Sequence, residues 1–323
     1  MSRHHTDAPQ ADERWAVILA GGDGTRLRAL TQLLSGDQRP KQFCRILGQS
    51  TLLGETVERL AETIDRQATL FVVSRHHEPF YRDELQAVPA SLLIEQPLNR
   101  GTTAAVAAAL IRIRHLASAS DPIVGLFPAD HSYADRSALN RTLARAFAAA
   151  KSPTRRVVLV GARATAPETD FGWIEPGEEL RGRARWSPSV GRVHAVTRFV
   201  EKPSTDVAAA LFDRGCWWNT FISIGRASAF TDLLRAAVPQ IWEPFEAVAA
   251  APLPRHAELT RLLYATLQTS DFSRDVLMAQ PHRLSVVGPL DAGWTDLGQP
   301  HRVLQTMAVR GVPRPSLLRR AAG

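Results

Sequence analysis

Short apolar runs rich in β-branched residues recur through the first half of the chain, with segments of helical spacing between them. "WAVILAG" (15–21) is followed by "ATLFVVS" (68–74), "SLLIEQ" (91–96), "PIVGLFPAD" (122–130) and "RVVLVGARA" (156–164). The intervening "TLLGETVERLAET" and "TTAAVAAALIRIRHL" combine helical spacing with good helix formers. Continuous apolar runs, rather than alternating ones, point to strands covered on both faces. This alternation predicts an α/β fold, a Rossmann-like, mostly parallel sheet flanked by helices. Ligands of such sheets bind beyond the carboxyl ends of the strands.

After residue 165 the pattern changes. "DFGWIEPGEELRGRARWSPSVGRVHAVTRFVEKP" (170–203) reads as turns and extended segments, a hairpin excursion. "ASAFTDLLRAAVPQIWEPFEAVAA" (227–250) is helical with an interruption at Pro239, and the helix-rich end holds one more strand candidate, "HRLSVVGPL" (282–290). The expected organisation is a catalytic domain over 14–309 with a helical C-terminal extension. A flexible N-terminal segment (1–13) precedes it and a basic, flexible tail (310–323) follows.

With 323 residues, 45% of them hydrophobic, the chain can bury a sizeable core. Its two cysteines, Cys44 and Cys216, have no C-x-x-C spacing, which excludes a disulfide scaffold or zinc ribbon and suits a reducing cytosol. The polar N-terminus lacks the apolar core of a secretory signal, and no apolar run is long enough to span a bilayer. A cytoplasmic protein without membrane contact is expected. The net charge of +7 suits anionic partners. The arginines are scattered, and no helix-turn-helix, zinc-finger or RNA-recognition motif accompanies them, so nucleic acid is not expected as a partner. A solvated basic surface is the plain alternative.

The first apolar run ends in "GGDGTRL" (21–27). A dinucleotide fingerprint needs a third glycine where Leu27 stands, and an acidic residue where the second run ends in Ser74. A P-loop needs a lysine directly after Gly24, where Thr25 stands. What remains is a glycine loop whose amides can approach an anion, with Arg26 as a permanent planar cation. That combination suits a triphosphate; a glycine turn with a surface arginine is the plain alternative.

Leu19–Leu27 together with "RPKQF" (39–43) resembles the signature of sugar-nucleotide pyrophosphorylases, nucleotidyltransferases with a glycosyltransferase-A-like fold, and within them the mannose-1-phosphate guanylyltransferase branch. The resemblance continues, in order, through "QPLNRGTTAA" (96–105), "FPADHSYAD" (127–135), "PETDFGWIEPG" (167–177), "RFVEKP" (198–203), "WNTFISIGRAS" (218–228) and "LDAGWTDLGQ" (290–299). It implies transfer of a nucleoside monophosphate from an NTP, GTP favoured, to a sugar 1-phosphate, mannose 1-phosphate favoured, with release of pyrophosphate. It further implies Arg26 and Lys41 as catalytic residues. Ala20, Gly21, Gly22, Gly24, Thr25, Arg26, Arg100 and Thr102 would bind nucleotide. Gly172, Glu201, Lys202 and Asn219 would hold the sugar phosphate, and Asp130 and Asp296 would hold Mg²⁺. It allows a homodimer. Relatives with a further cupin-type isomerase domain are longer, so a single activity is expected.

Without the resemblance, Asp130 would pass as a helix cap, Asp296 as a turn residue and Lys202 as a solvated lysine; His131 reads as structural. Some positions depart from the family pattern. Gln96, Asn99 and Gly101 stand where Glu, Gly and Asn are usual, and Phe221-Ile222 where Gly-Met is usual. Asp170 replaces a glycine, and Arg28-Ala29 replaces Trp-Pro. These substitutions leave open another base or sugar phosphate, and a catalytically silent nucleotide-sugar-binding regulator remains a further alternative.

Overall fold

A computed structural model describes residues 13–180 and 192–313. Nearly all of the N-terminal segment, residues 314–323 of the tail and the middle of the hairpin excursion lie outside the described residues.

Among the described residues nine strands form one sheet: β1 (Arg14–Leu19), β2 (Thr69–Ser74), β3 (Leu93–Gln96), β4 (Ile123–Pro128), β5 (Val157–Arg163), β6 (Gly172–Glu179), β7 (Val193–Glu201), β8 (Trp217–Arg226) and β9 (Leu284–Leu290). Their order is β3-β2-β1-β4-β8-β5-β9-β7-β6. Among the described residues ten α-helices accompany them: α1 (Arg28–Ser35), α2 (Leu52–Leu60), α3 (Glu78–Leu85), α4 (Gly101–Leu116), α5 (Arg136–Ala150), α6 (Thr205–Asp213), α7 (Ala227–Ala237), α8 (Pro239–Ala250), α9 (His256–Thr266) and α10 (Pro300–Val309). The predicted interruption at Pro239 is the start of α8, where a missing N–H does no harm.

The α/β class, the flanking helices and the helical C-terminal region are as expected. The pairing is more mixed than a mostly parallel sheet. Parallel pairing is confined to β3-β2-β1-β4 and to β5–β9, whereas β8 runs antiparallel to both β4 and β5. The reason is connectivity: β8 returns from the β6–β7 excursion and enters between strands already laid down in the other direction. β8 does not stand out in the sequence because its apolar residues are interleaved with Asn219, Thr220 and Ser223.

The continuous apolar runs are explained by burial on both faces. Along β1, Trp15 and Val17 join the core under α4 and α7–α9, while Ala16 and Ile18 join the core under α2, α3 and α5. A smaller cluster packs α10 back onto the N-terminal region: Val303 and Met307 meet Leu27, Leu30 and Leu52, with Leu297 beside them. Each such aliphatic side chain contributes about 1.5–3 kcal/mol when buried. This contact carries the loop before α10 to the end of β1.

Candidate active site

β1 has β2 on one side and β4 on the other, so the chain direction across the sheet reverses between β1 and β4. Crevices at such a switch point, beyond the strand carboxyl ends, are where open α/β sheets bind ligands. Leu19 pairs with Pro128, and the Ala129 amide donates to Leu19 O at 3.2 Å. The glycine loop and Asp130 therefore leave the sheet side by side.

Gln42 shapes the glycine loop. Its buried amide donates to Ala20 O at 2.9 Å and to Gly22 O at 2.7 Å. Gly24 sits at φ +58°, and a Cβ there would crowd the Lys41 amide at 3.3 Å. The Gln of "RPKQF" thus holds the loop whose amides line the crevice, and the Lys beside it enters the crevice. Thr25 and Arg28 are exposed. Arg26 is half-exposed, its guanidinium 3.5 Å from the Asp170 carboxylate.

Asp130 and Asp296, 166 positions apart, meet because 132–135 and 292–295 pair. Ser132 and Thr295 exchange both backbone hydrogen bonds, and the Ala134 and Asp135 amides donate to Ala292 O. Lys41 lies between the two acids, 8% exposed. Its Nζ is 3.2 Å from Asp130 Oδ2 and donates to the Asp296 carbonyl oxygen. The cap of α5 is Asp135, which accepts from the Ala138 amide, so the helix-cap alternative for Asp130 is wrong. The turn alternative for Asp296 holds in part, since its Oδ1 accepts from the Gly298 amide at 2.9 Å and from Arg302 at 3.1 Å. Among the described residues nothing donates to its Oδ2. Burial works to raise the Asp296 carboxyl, but Lys41, the Gly298 amide and Arg302 together hold it below the ordinary carboxylate range.

The Asp130 carboxylate beside a displaceable ammonium, with the Asp296 carboxylate on the turn that ammonium also reaches, is a donor set that fits a hard divalent cation shared with phosphate oxygens. His131 is no part of that set. Burial pushes it down to about 4, and its Nδ1 accepts from Trp294 Nε1 at 3.2 Å, which fixes a neutral structural imidazole.

The four sugar-phosphate candidates also converge. Gly172 pairs with Glu201 across β6–β7, and a Cβ on Gly172 would lie 2.5 Å from Glu201 Oε2 and 3.2 Å from Asn219 Cβ. Lys202 Nζ is 3.8 Å from Glu201 Oε1. Burial, reinforced by Asp271, pushes Glu201 up to about 7 against the pull of Lys202 and Arg274. Lys202 and Phe221 both have positive φ, at 47° and 68°. Phe221 thus occupies a backbone conformation that suits the glycine usual in the family.

Arg100 and Thr102 are committed elsewhere. Arg100 donates to the last carbonyls of α9, Tyr264 O at 2.6 Å and Ala265 O at 2.9 Å. Thr102 Oγ1 accepts from the Phe272 amide at 2.8 Å. Together they tie the start of α4 to the end of α9 and to Phe272. Gly101 belongs to the same seam: it has φ +82°, and a Cβ would lie 2.2 Å from Ser270 O. Gly101→Ala is therefore expected to lower unfolding free energy by about 2–4 kcal/mol. Urea denaturation checks this, and a loss below about 0.5 kcal/mol would mean the seam yields.

Sequence reasoning passed over Gln42, Asp170 and Arg302. Asp170, which replaces a glycine of the family pattern, bridges Arg26, Arg302 at 3.3 Å and Gln299 at 2.9 Å. Arg302 also pairs with Glu168 at 2.7 Å and with Asp296, and stacks over Phe171 at 4.3 Å. Only the glycine-to-Asp change at 170 hinted at this network. Arg310, at the start of the expected tail, is anchored on Glu55 at 3.1 Å and Ser132 at 3.0 Å.

Residues 15–309 match the nucleotidyl transferase family. The chain belongs to this family. Xanthan biosynthesis protein XanB of Xanthomonas campestris is 32% identical over 87% of the chain and 57% of its own length. The mannose-1-phosphate guanylyltransferase of Escherichia coli is 28% identical over 88% of the chain and 58% of its own length. The chain thus spans little more than half the length of these nucleotidyl transferase relatives. A crystal structure described as mannose-1-phosphate geranyltransferase from Thermus thermophilus aligns with a TM-score of 0.73 and 30% identity, covering 88% of this chain and 76% of that one. No helix among the described residues is long and apolar enough to cross a membrane.

Proposed function

We propose that the chain is a sugar-nucleotide synthase that joins a nucleoside monophosphate from GTP to mannose 1-phosphate. One observation carries the reading: the Lys41 ammonium is held between Asp130 and the Asp296 backbone, at the mouth of a glycine loop clamped by its own neighbour Gln42. The names of the relatives favour guanine and mannose. A cytoplasmic setting, where both substrates would be met, fits the reading.

In the reaction an oxygen of the sugar 1-phosphate attacks the α-phosphorus, and the bond to the pyrophosphate leaving group breaks in line. The nucleophile is already an anion, so the protein's task is positioning and charge neutralisation. The glycine-loop amides and Arg26 hold the β- and γ-phosphates. Lys41 follows the negative charge that builds on the α-phosphoryl oxygens. Asp130 and Asp296 would hold Mg²⁺, which supplies electrostatic stabilisation to phosphate oxygens. Lys202 holds the sugar phosphate, while Glu201, Asn219 and the Gly172 backbone orient the sugar. With a carboxyl near 7, Glu201 can donate to or accept from a hydroxyl.

Asp170 competes with a bound triphosphate for Arg26. Asp170→Asn removes that charge but keeps acceptors for Arg302. It is expected to lower KM for the nucleotide about two- to fivefold, the scale of a half-exposed ion pair. An unchanged or higher KM would show that Asp170 does not compete.

The test of the reaction is pyrophosphate release with Mg²⁺ across GTP, ATP, UTP, CTP and dTTP against mannose, glucose, N-acetylglucosamine, fucose and heptose 1-phosphates. Selective turnover of GTP with mannose 1-phosphate supports the proposal. Turnover elsewhere in the grid keeps the chemistry and reassigns specificity to Asn99, Gly101 and Phe221. No turnover, with nucleotide-sugar binding retained, would identify a silent regulator.

A further inference from the structure

At the tip of the glycine loop, the neighbours of Asp23 include two histidines. Its Oδ1 lies 3.0 Å from His76 Nε2 and 3.3 Å from His77 Nε2. The three ligand atoms lie within 4.8 Å of one another. We propose that Asp23, His76 and His77 form a binding site for a divalent transition-metal cation of the zinc or cobalt type.

The convergence follows from the sheet. β1 and β2 are parallel neighbours with Leu19 opposite Val72, so the loops that follow them leave the sheet together. Asp23 lies in one loop, and His76-His77 form the short turn that opens α3 in the other. The two imidazoles sit with ring centroids 3.9 Å apart. Asp23 is oriented from a third loop: Asn99 Nδ2 donates to its Oδ2 at 2.9 Å, which turns Oδ1 toward the histidines. Asn99 itself is braced by accepting from the Gly101 amide at 3.0 Å. Outer hydrogen bonds of this kind fix the ligand atoms of metal sites.

The donor chemistry separates this site from the paired carboxylates. Two imidazole nitrogens and one carboxylate oxygen favour borderline cations such as Zn²⁺ or Co²⁺, whereas all-oxygen sites suit Mg²⁺. In tetrahedral zinc sites, metal–ligand distances of about 2.0–2.1 Å place ligands about 3.4 Å apart, close to the spacing of Oδ1 from both histidines. His77 is buried beside Phe43, which holds its ring in place. Three protein donors leave the remaining position to water. A cation here would join the glycine loop, the β2 loop and the Asn99 loop at one point.

The test is titration of the full chain with Co²⁺, followed by the visible bands of tetrahedral cobalt, and with Zn²⁺ by calorimetry. One Co²⁺ per chain should give these bands, and Zn²⁺ should displace it. His76→Ala and Asp23→Asn should each weaken binding at least about tenfold. The double variant Asp130→Asn/Asp296→Asn should bind as the parent does. His76 is the primary target because its side chain is 55% exposed, so its loss leaves the fold intact by circular dichroism. Absence of the bands overturns the proposal. So does their survival with unchanged affinity in either single variant, which would put the cation on His4 and His5, outside the described residues, or on the paired carboxylates.

Discussion

Asp296→Asn is expected to lower Mg²⁺-dependent pyrophosphate release at least about a thousandfold with the fold intact. Asparagine keeps an oxygen to accept from the Gly298 amide and Arg302, the two contacts that shape the turn. What it removes is the negative charge, which is the property a hard cation requires. Arg302 retains Glu168 and Asp170, so no buried cation is stranded. Asp130→Asn should act the same way, because Asp130 makes no capping contact whose loss could unfold α5. Steady-state rates across a Mg²⁺ series, with thermal melts alongside, make the measurement. Turnover within tenfold of the parent in either variant would remove that residue from the metal-binding pair.

Lys41→Met should lower kcat by about 10²–10³ while nucleotide KM moves less than about threefold. The methionine fills the buried space of the lysine stem, so the loss isolates the ammonium. That ammonium now neutralises Asp130 and the carbonyl side of Asp296. Without it Asp130 loses its cationic partner while Asp296 keeps Arg302, so Mg²⁺ should bind more tightly even as turnover falls. This opposite movement of metal affinity and rate is the signature of a cation that serves the reacting phosphate. A raised KM with unchanged kcat would instead assign Lys41 to ground-state binding.

The apolar runs marked β1–β5 and β9 within one or two residues, because strands buried on both faces need apolar side chains at consecutive positions. The glycine loop was legible because backbone conformation at Gly24 is a local property. The likeness of ordered motifs named residues that do come together: Lys41 with Asp130 and Asp296, and Gly172 with Glu201, Lys202 and Asn219.

The sequence by itself determined the doubly buried strands β1–β5 and β9, the helical segments between them, and which family the chain joins, since each depends on residues close together or on motif order. The tertiary structure alone decided partnership. It turned β8 antiparallel between β4 and β5, spent Arg100 and Thr102 on the end of α9 and on Phe272, and made Asp170 a bridge between Arg26 and Arg302. It also set Asn99 and two histidines around Asp23. Charges and hydrogen bonds act over a few ångströms of space, and which distant residues come that close is fixed by strand order and helix packing rather than by any local pattern.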